Sequence, residues 1–242
     1  MRLAGDLEAN HVEIGENIVI VGEIRGRGNV IKIEGTRNPQ KIYVNIHGNH
    51  NRLVIGRRSL MQSLRVDIGS RRWLSSHSRL IIGEHFSIGS KGRFLLPNSG
   101  NVVEIGNHCM FSSSVQLRGG EYPHLIFDKE TGENLDQSDG IYIGDHAWIG
   151  EGVFIAKAVT IPPDTIVGAR SVVTKRFDEQ NTVIAGNPAR VVKRGVQWVA
   201  NEFVLEADHP GLVDKFRESR TSRLNAEEPE FATKAGDTFQ EL

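Results

Sequence analysis

The sequence predicts an all-β solenoid wound as a parallel β-helix, and three observations carry that reading. Ile143, Ile149, Ile155, Ile161, Val167 and Val173 follow one another at a constant step of six. Ile-Gly pairs recur upstream, at Ile14, Ile55, Ile68, Ile82, Ile88 and Ile105. Glycine is abundant at 26 residues and aromatics are scarce at 7%, as thin repetitive coils require. An amphipathic helix would repeat near 3.6 and a lone strand near 2. Six is a whole number of strand periods, so every ladder residue points the same way from an extended chain. Three short strands joined by corners then make a coil of about eighteen residues, and coils stack about 4.8 Å apart around a narrow core. Glycine suits the corners because it accepts positive φ without a Cβ clash.

The elements follow in chain order. Residues from about 10 to 117 read as irregular coils. From Ile82 the step of six gives Ile88 and Phe94, and from Ile105 it gives Phe111 and Leu117. The breaks between these runs read as loops or longer corners. The interval from Leu117 to Ile143 is not a multiple of six. Its polar, turn-rich residues 118–140 read as a loop extruded from a corner. Residues 141–175 are the regular coils, and residues 176–194 are expected to leave the ladder. After Gly195 the composition changes. The segment "VQWVANEFVLEA" sets Trp198, Val199 and Phe203 at roughly helical spacing, and "GLVDKFRESR" suits a second helix. The expected organisation is a β-helix domain over 1–195 and a short helical segment over 196–242. That segment would cap the open coil and end in a mobile tail.

Composition excludes several classes. A net charge of −1 favours neither nucleic acid nor an anionic membrane surface. A single cysteine, Cys109, excludes an intramolecular disulfide framework and a cysteine-based zinc site. No apolar run reaches the roughly 18 residues of a membrane span. The first residues lack the apolar core of a secretory signal, so a cytoplasmic protein is expected.

Taken together, "IYIGDHAWIGEG", "SVVTK" and "AGNPARVVKR" resemble the hexapeptide-repeat acyltransferases. The resemblance is to the sugar O-acetyltransferase branch, which includes galactoside, maltose and capsular polysaccharide acetyltransferases. It is specific over about residues 104–194. It implies a left-handed β-helix, against the right-handed crossover that general rules favour. It also implies a homotrimer with sites in clefts between adjacent coils, acetyl-CoA as donor, no required metal, and a carbohydrate acceptor. A surface polysaccharide, such as capsule or lipopolysaccharide, or its precursor is the expected acceptor.

The chain holds nine histidines. His85, His108 and His146 each stand two residues after a ladder glycine, and one recurring slot is explained most simply by the corner itself. His124 differs, because it lies in the interruption, in "GGEYPHLIFD". It matches the family's catalytic base. An attacking hydroxyl needs its proton removed, and imidazole is largely neutral and basic near pH 7. Asp128, Glu121 or a backbone carbonyl could orient its other ring nitrogen. The resemblance places Trp148 beside the acyl-carrying arm of coenzyme A and the Ala169 backbone against the pantetheine amides. Thr174 and Lys175 fall near the adenine and phosphate end. Arg190 and Lys193, with Arg194 beyond, match residues that meet the phosphates, where charge-assisted donors are favoured. Two departures stand out: Arg170 replaces a usual glycine, and Pro162 follows Ile161 where an Ile-Gly rung is usual. Other readings are N-acylation of an amino sugar nucleotide, a γ-type carbonic anhydrase, and a non-enzymatic solenoid. No histidine pair has the anhydrase's five-residue ligand spacing.

Overall fold

The computed structural model describes residues 2–226. The chain forms two compact units, one ending at Gln197 and one beginning at Trp198. The first is a three-sided parallel β-helix. Its first sheet has eight strands, from Arg2–Gly5 to Val172–Val173, and its second has seven, from His11–Ile14 to Thr160–Ile161. The third has seven, from Leu60–Met61 through Ile166–Val167 and Thr182–Gly186 to Ala189–Arg194. Each full coil visits the first, second and third sheets in that order, so three corners run along the prism from the third coil onward.

The ladder is the core. Ile143, Ile149, Ile155, Ile161, Val167 and Val173 are all buried, as are Ala147, Val153, Val159, Thr165 and Ser171, two residues before the later rungs. That two-residue offset is the strand period, so both residues point inward and the one between them points out. Equivalent rungs stack in register: Phe111, Ile149, Val167 and Ile184 stand over one another on the third sheet. Phe111 also meets Phe86 and Phe94 edge-on, at centroid distances of 5.1 and 6.0 Å.

From Ile143 to Val167 each corner turns on one residue with positive φ, three positions after a rung. In the regular coils these are His146, Gly152, Ala158, Asp164 and Arg170. His85 and His108 hold the same slot earlier, at φ 55° and 56°. The left-handed conformation costs a non-glycine residue about 1 kcal/mol or more, least for short polar residues and histidine. The three histidines are therefore corner residues. The rings of His85 and His108 stack at 4.5 Å, and His146 Nδ1 lies 2.8 Å from Asp164 Oδ1. Arg170 fits at φ 61° with its stem over Gly152, where a Cβ would lie 2.8 Å from it.

Three stretches depart from the expected path. The N-terminal half is more regular than its broken six-step suggests. Long alternating strands, Ile18–Arg25 and Gln40–His47, build the first sheet there. The first two coils have no third-sheet strand, because 15–17 and 34–39 lead straight back to the first sheet. Residues 182–186 rejoin the third sheet parallel to Ile166–Val167, so the chain leaves the solenoid only at the antiparallel turn into Ala189–Arg194. Ile184 keeps the inward column although it lies one residue short of the eighteen-residue repeat, since 174–181 include no second-sheet strand. For the same reason Pro162 is harmless: Thr160–Ile161 ends the second sheet, and no strand lies beyond it to accept the N–H that proline lacks.

The second unit holds the helices Glu202–Asp208 and Pro210–Ala226. Asn201 caps the first by accepting from the Val204 N–H at 3.0 Å. That cap starts the helix after Trp198 and Val199, and Phe203 is 80% exposed, so the expected apolar stripe does not form. The two helices are joined by ion pairs of Arg217 with Glu206 and Arg220 with Glu202. The expected mobile tail beyond Ala226 lies outside the described residues.

Burial first, then His108 and Arg58, hold the His85 imidazole below its ordinary pKa of 6.5. The unfolded chain thus takes up a proton there more readily than the fold does. The stability contributed by neutral His85 is present above pH 6.5 and lost as pH falls below it. Thermal melts across pH 7 to about 5 should show a falling midpoint, and His85→Gln should flatten that fall.

Candidate active site

The site residues named from the sequence fall on two opposite parts of the prism. Trp148 stands on the outside of the third sheet, in register with Ile166, Val183 and then Lys193. Ala169 follows at the next corner, and its backbone N would lie 2.6 Å from a Cβ on Gly150, so only glycine fits beneath it. Among the described residues the Ala169 N–H donates to nothing. Arg190 pairs in register with Ala185 at the edge of the same sheet. Arg194 is taken up by Glu179 at 2.9 Å, whereas Arg190 and Lys193 are exposed and make no ion pair among the described residues.

His124, Asp128, Thr174 and Lys175 belong to the corner between the first and second sheets, across the prism from Trp148. Thr174 and Lys175 are exposed, directly after Val172–Val173, with Lys175 Nζ 5.2 Å from the centre of the Phe177 ring. His124 projects from the loop over 119–140 and is exposed, and its backbone N–H donates to Glu121 O at 3.2 Å. Its imidazole makes no hydrogen bond among the described residues. Asp128 is engaged in its own turn, its Oδ1 accepting from the Glu130 and Thr131 N–H groups at 2.9 and 2.7 Å. Those N–H groups, Thr131 first, hold its carboxyl below the usual range. The structure therefore does not join Asp128 to His124.

The loop is fastened at its root by groups that no sequence motif singles out. Asp136 is 1% exposed at its side chain, and its carboxylate meets Lys157 Nζ. It also accepts from Asn98 Nδ2 at 2.7 Å and from the Glu121 N–H at 3.0 Å. Asn98 Oδ1 accepts from the Tyr122 N–H at 3.2 Å. Burial pushes the Asp136 carboxyl up, but Lys157, Asn98 and the Glu121 N–H together outweigh it and hold the group ionised. Both residues leading into Pro123 and His124 are thus pinned. Ser138 Oγ accepts from the Ala158 N–H at 3.0 Å, and Asp139 pairs with Arg176. A ladder of buried polar residues, Asn29, Asn51, Ser78 and Asn101, runs up this corner and ends where Asn101 Nδ2 donates to Gly119 O at 3.1 Å.

No protein-family model matches the chain. It is 36% identical over 93 residues to a putative acetyltransferase of Schizosaccharomyces pombe, and spans 44% of that protein's length, less than half. It is 30% identical over 190 residues to the polysialic acid O-acetyltransferase of Neisseria meningitidis, covering 72% of this chain and 87% of that one. The fold matches the crystal structure of the polySia-specific acetyltransferase NeuO with a TM-score of 0.69 and 23% identity, over 90% of this chain and 96% of that one. The chain belongs to the hexapeptide-repeat acyltransferases.

Within that family this chain falls in the sugar O-acetyltransferase branch. Among the described residues no three His, Cys, Asp or Glu side chains gather as a metal site. Cys109 is buried, and burial raises its thiol pKa to about 11, which keeps it from acting as a thiolate. The sequence reading missed Asp136, Asn98 and Lys157, because a lone Asp, Asn and Lys carry no spacing signal until the coils stack. Lys157→Met would leave a buried carboxylate without its cation, at a cost of about 3 kcal/mol. Chemical denaturation should show that loss, limited proteolysis should cut 119–140 faster, and adding Asp136→Asn should recover most of it.

Proposed function

We propose that this chain transfers an acetyl group from acetyl-CoA to a hydroxyl of a surface glycan or its precursor, with His124 as general base. One observation carries the reading. Trp148 and Lys193 share an outward register column three strand spacings long, about 14 Å. It runs from an aromatic side chain, past the Ala169 N–H, to two cations, Arg190 and Lys193, and among the described residues that N–H donates to nothing and those cations make no ion pair. An extended thioester arm ending in phosphates has that sequence of needs: an apolar contact, an amide partner, then positive charge.

In the reaction the acceptor oxygen attacks the thioester carbonyl while His124 takes the hydroxyl proton. The carbon–sulfur bond then breaks, and the proton passes to the departing thiolate. His124 and Trp148 lie on opposite parts of one prism, so a site that uses both needs a second copy of the chain. This supports the homotrimer that the family resemblance implies, with Thr174 and Lys175 completing the cofactor groove. An acetyl-CoA donor goes with a cytoplasmic location. The exposed His124, with no bond to Asp128, is free to be oriented by a neighbouring chain or by the acceptor.

The test is acetyl-CoA turnover against a panel of sugars and polysaccharides. His124→Ala should lose at least about 10²-fold in kcat with coenzyme A binding retained in calorimetry. Unchanged turnover would remove His124 from the mechanism. Arg190→Ala with Lys193→Ala should instead weaken coenzyme A binding.

A further inference from the structure

We propose that the outer face of the first sheet in the N-terminal half is a binding groove for an anionic glycan, rich enough in arginine to hold several acidic sugars. The proposal rests on the glycan-acetylating function above and adds the chemical class of its acceptor. The outward column Tyr43, Arg65, Arg93 and Gln116 crosses adjacent strands in register. Arg65 and Arg93 are direct neighbours in that column, about 4.8 Å apart along the solenoid. Like charges placed so are destabilising. They share a single carboxylate, Asp67, at 2.8 Å from Arg65 Nε and 3.5 Å from Arg93 Nε. Their Nη donors make no hydrogen bond among the described residues, and the side chains are 52% and 54% exposed.

A second cluster adjoins the first. Glu23 accepts from Arg71 at 2.6 and 2.8 Å, lies 3.5 Å from Arg25 Nε, and contacts His47 Nε2 at 2.8 Å. Four guanidiniums thus meet two carboxylates, leaving local positive charge on a chain whose net charge is −1. A cleft of about 400 Å³ lies between the clusters, lined by Arg65, Arg71, Arg93 and His47 together with the carboxylates Glu23 and Asp67 that these arginines outnumber. His47 is buried in its lining, and its Nδ1 has no hydrogen-bond partner among the described residues, which is unusual for a buried polar atom. Nothing in the solenoid requires this arrangement: further along the same sheet the column turns neutral, with Phe154 and Val172.

The guanidinium fork matches carboxylate and phosphate oxygens alike. Tyr43 and the exposed Leu74 add apolar surface suited to sugar faces. Position makes the ligand an acceptor. From the strand of Arg65 the sheet rises by two spacings, about 10 Å, to Gln116–Arg118, where the loop carrying His124 begins. A single sugar would not span that interval, whereas an oligosaccharide would.

The experiment is calorimetric titration of the full-length protein with oligosialic acid, oligogalacturonate, a ribitol-phosphate polymer and neutral dextran, without acetyl donor. An anionic glycan should bind, dextran should not, and affinity should fall as salt rises from about 50 to about 200 mM. The carboxylated and phosphorylated probes decide which anion the groove selects. Arg65→Gln and Arg93→Gln should each weaken binding about tenfold or more, while Arg93→Gln leaves the thermal midpoint unchanged or raised because it relieves the opposed charges. Equal binding of dextran, or unchanged binding by both variants, overturns the groove. Glycan binding that depends on these arginines, in a protein that turns over no acetyl-CoA, would keep the groove and sink the acetyl-transfer reading instead.

Discussion

The structure depends on one constraint: successive coils must stack in parallel with each rung over its counterpart. Backbone N–H groups of one coil donate to carbonyls of the next, as when Gly106 N–H meets Ile143 O and Gly144 N–H meets Ile161 O, both at 2.8 Å. A slip of one residue would turn the whole ladder outward. The narrow core leaves little freedom in return. It takes one aliphatic residue and one smaller residue at most regular rungs, and each corner between Ile143 and Val173 must accept a left-handed residue. The corner histidines follow from this, being polar residues for which positive φ is least costly.

Chemistry-bearing groups gather where the stacking is interrupted. A coil that satisfies the repeat offers a flat wall and few loose side chains. A stretch that breaks the phase must be extruded, and its backbone then needs new partners. At 119–140 those partners are the buried Asp136, its cation Lys157, and Asn98, which together hold the chain on either side of the break. A second interruption, over 69–77, brings Arg71 against Glu23 from 48 residues away. Buried polar networks of this kind are costly unless complete. The Asp136 network is satisfied by Lys157, Asn98 and the Glu121 N–H, and it gives an irregular segment a defined position on a regular support.

The two sides of the proposed reaction ask different things of the support. The cofactor wall needs register, which the ladder supplies directly: Trp148 and Lys193 align because their inward neighbours do. The base needs reach, so it stands on an exposed loop whose root is rigid and whose tip is not tied to Asp128. Charge is distributed by the same logic. Arg194 is neutralised by Glu179, while among the described residues Arg190 and Lys193 beside it make no ion pair, and Arg65 and Arg93 divide one carboxylate between them.

Periodicity in the sequence alone determined the β-helix, its inward ladder and the main interruption, because burial selects one face and the strand period turns that selection into a countable step. The corner role of His85, His108 and His146 was legible for the same reason, as a recurrence at one offset. Tertiary structure alone decided what depends on stacking between coils. It showed that the N-terminal half remains a solenoid without an unbroken six-step, since long alternating strands can build a sheet as well as short ones. It returned Thr182–Gly186 to the third sheet, because an inward Ile184 can be reached by a coil one residue short. It separated His124 from Trp148 across the prism, and it assembled the Asp136 anchor and the arginine groove from residues far apart in the chain. Such contacts are set by which coil lies over which, and no local spacing records that.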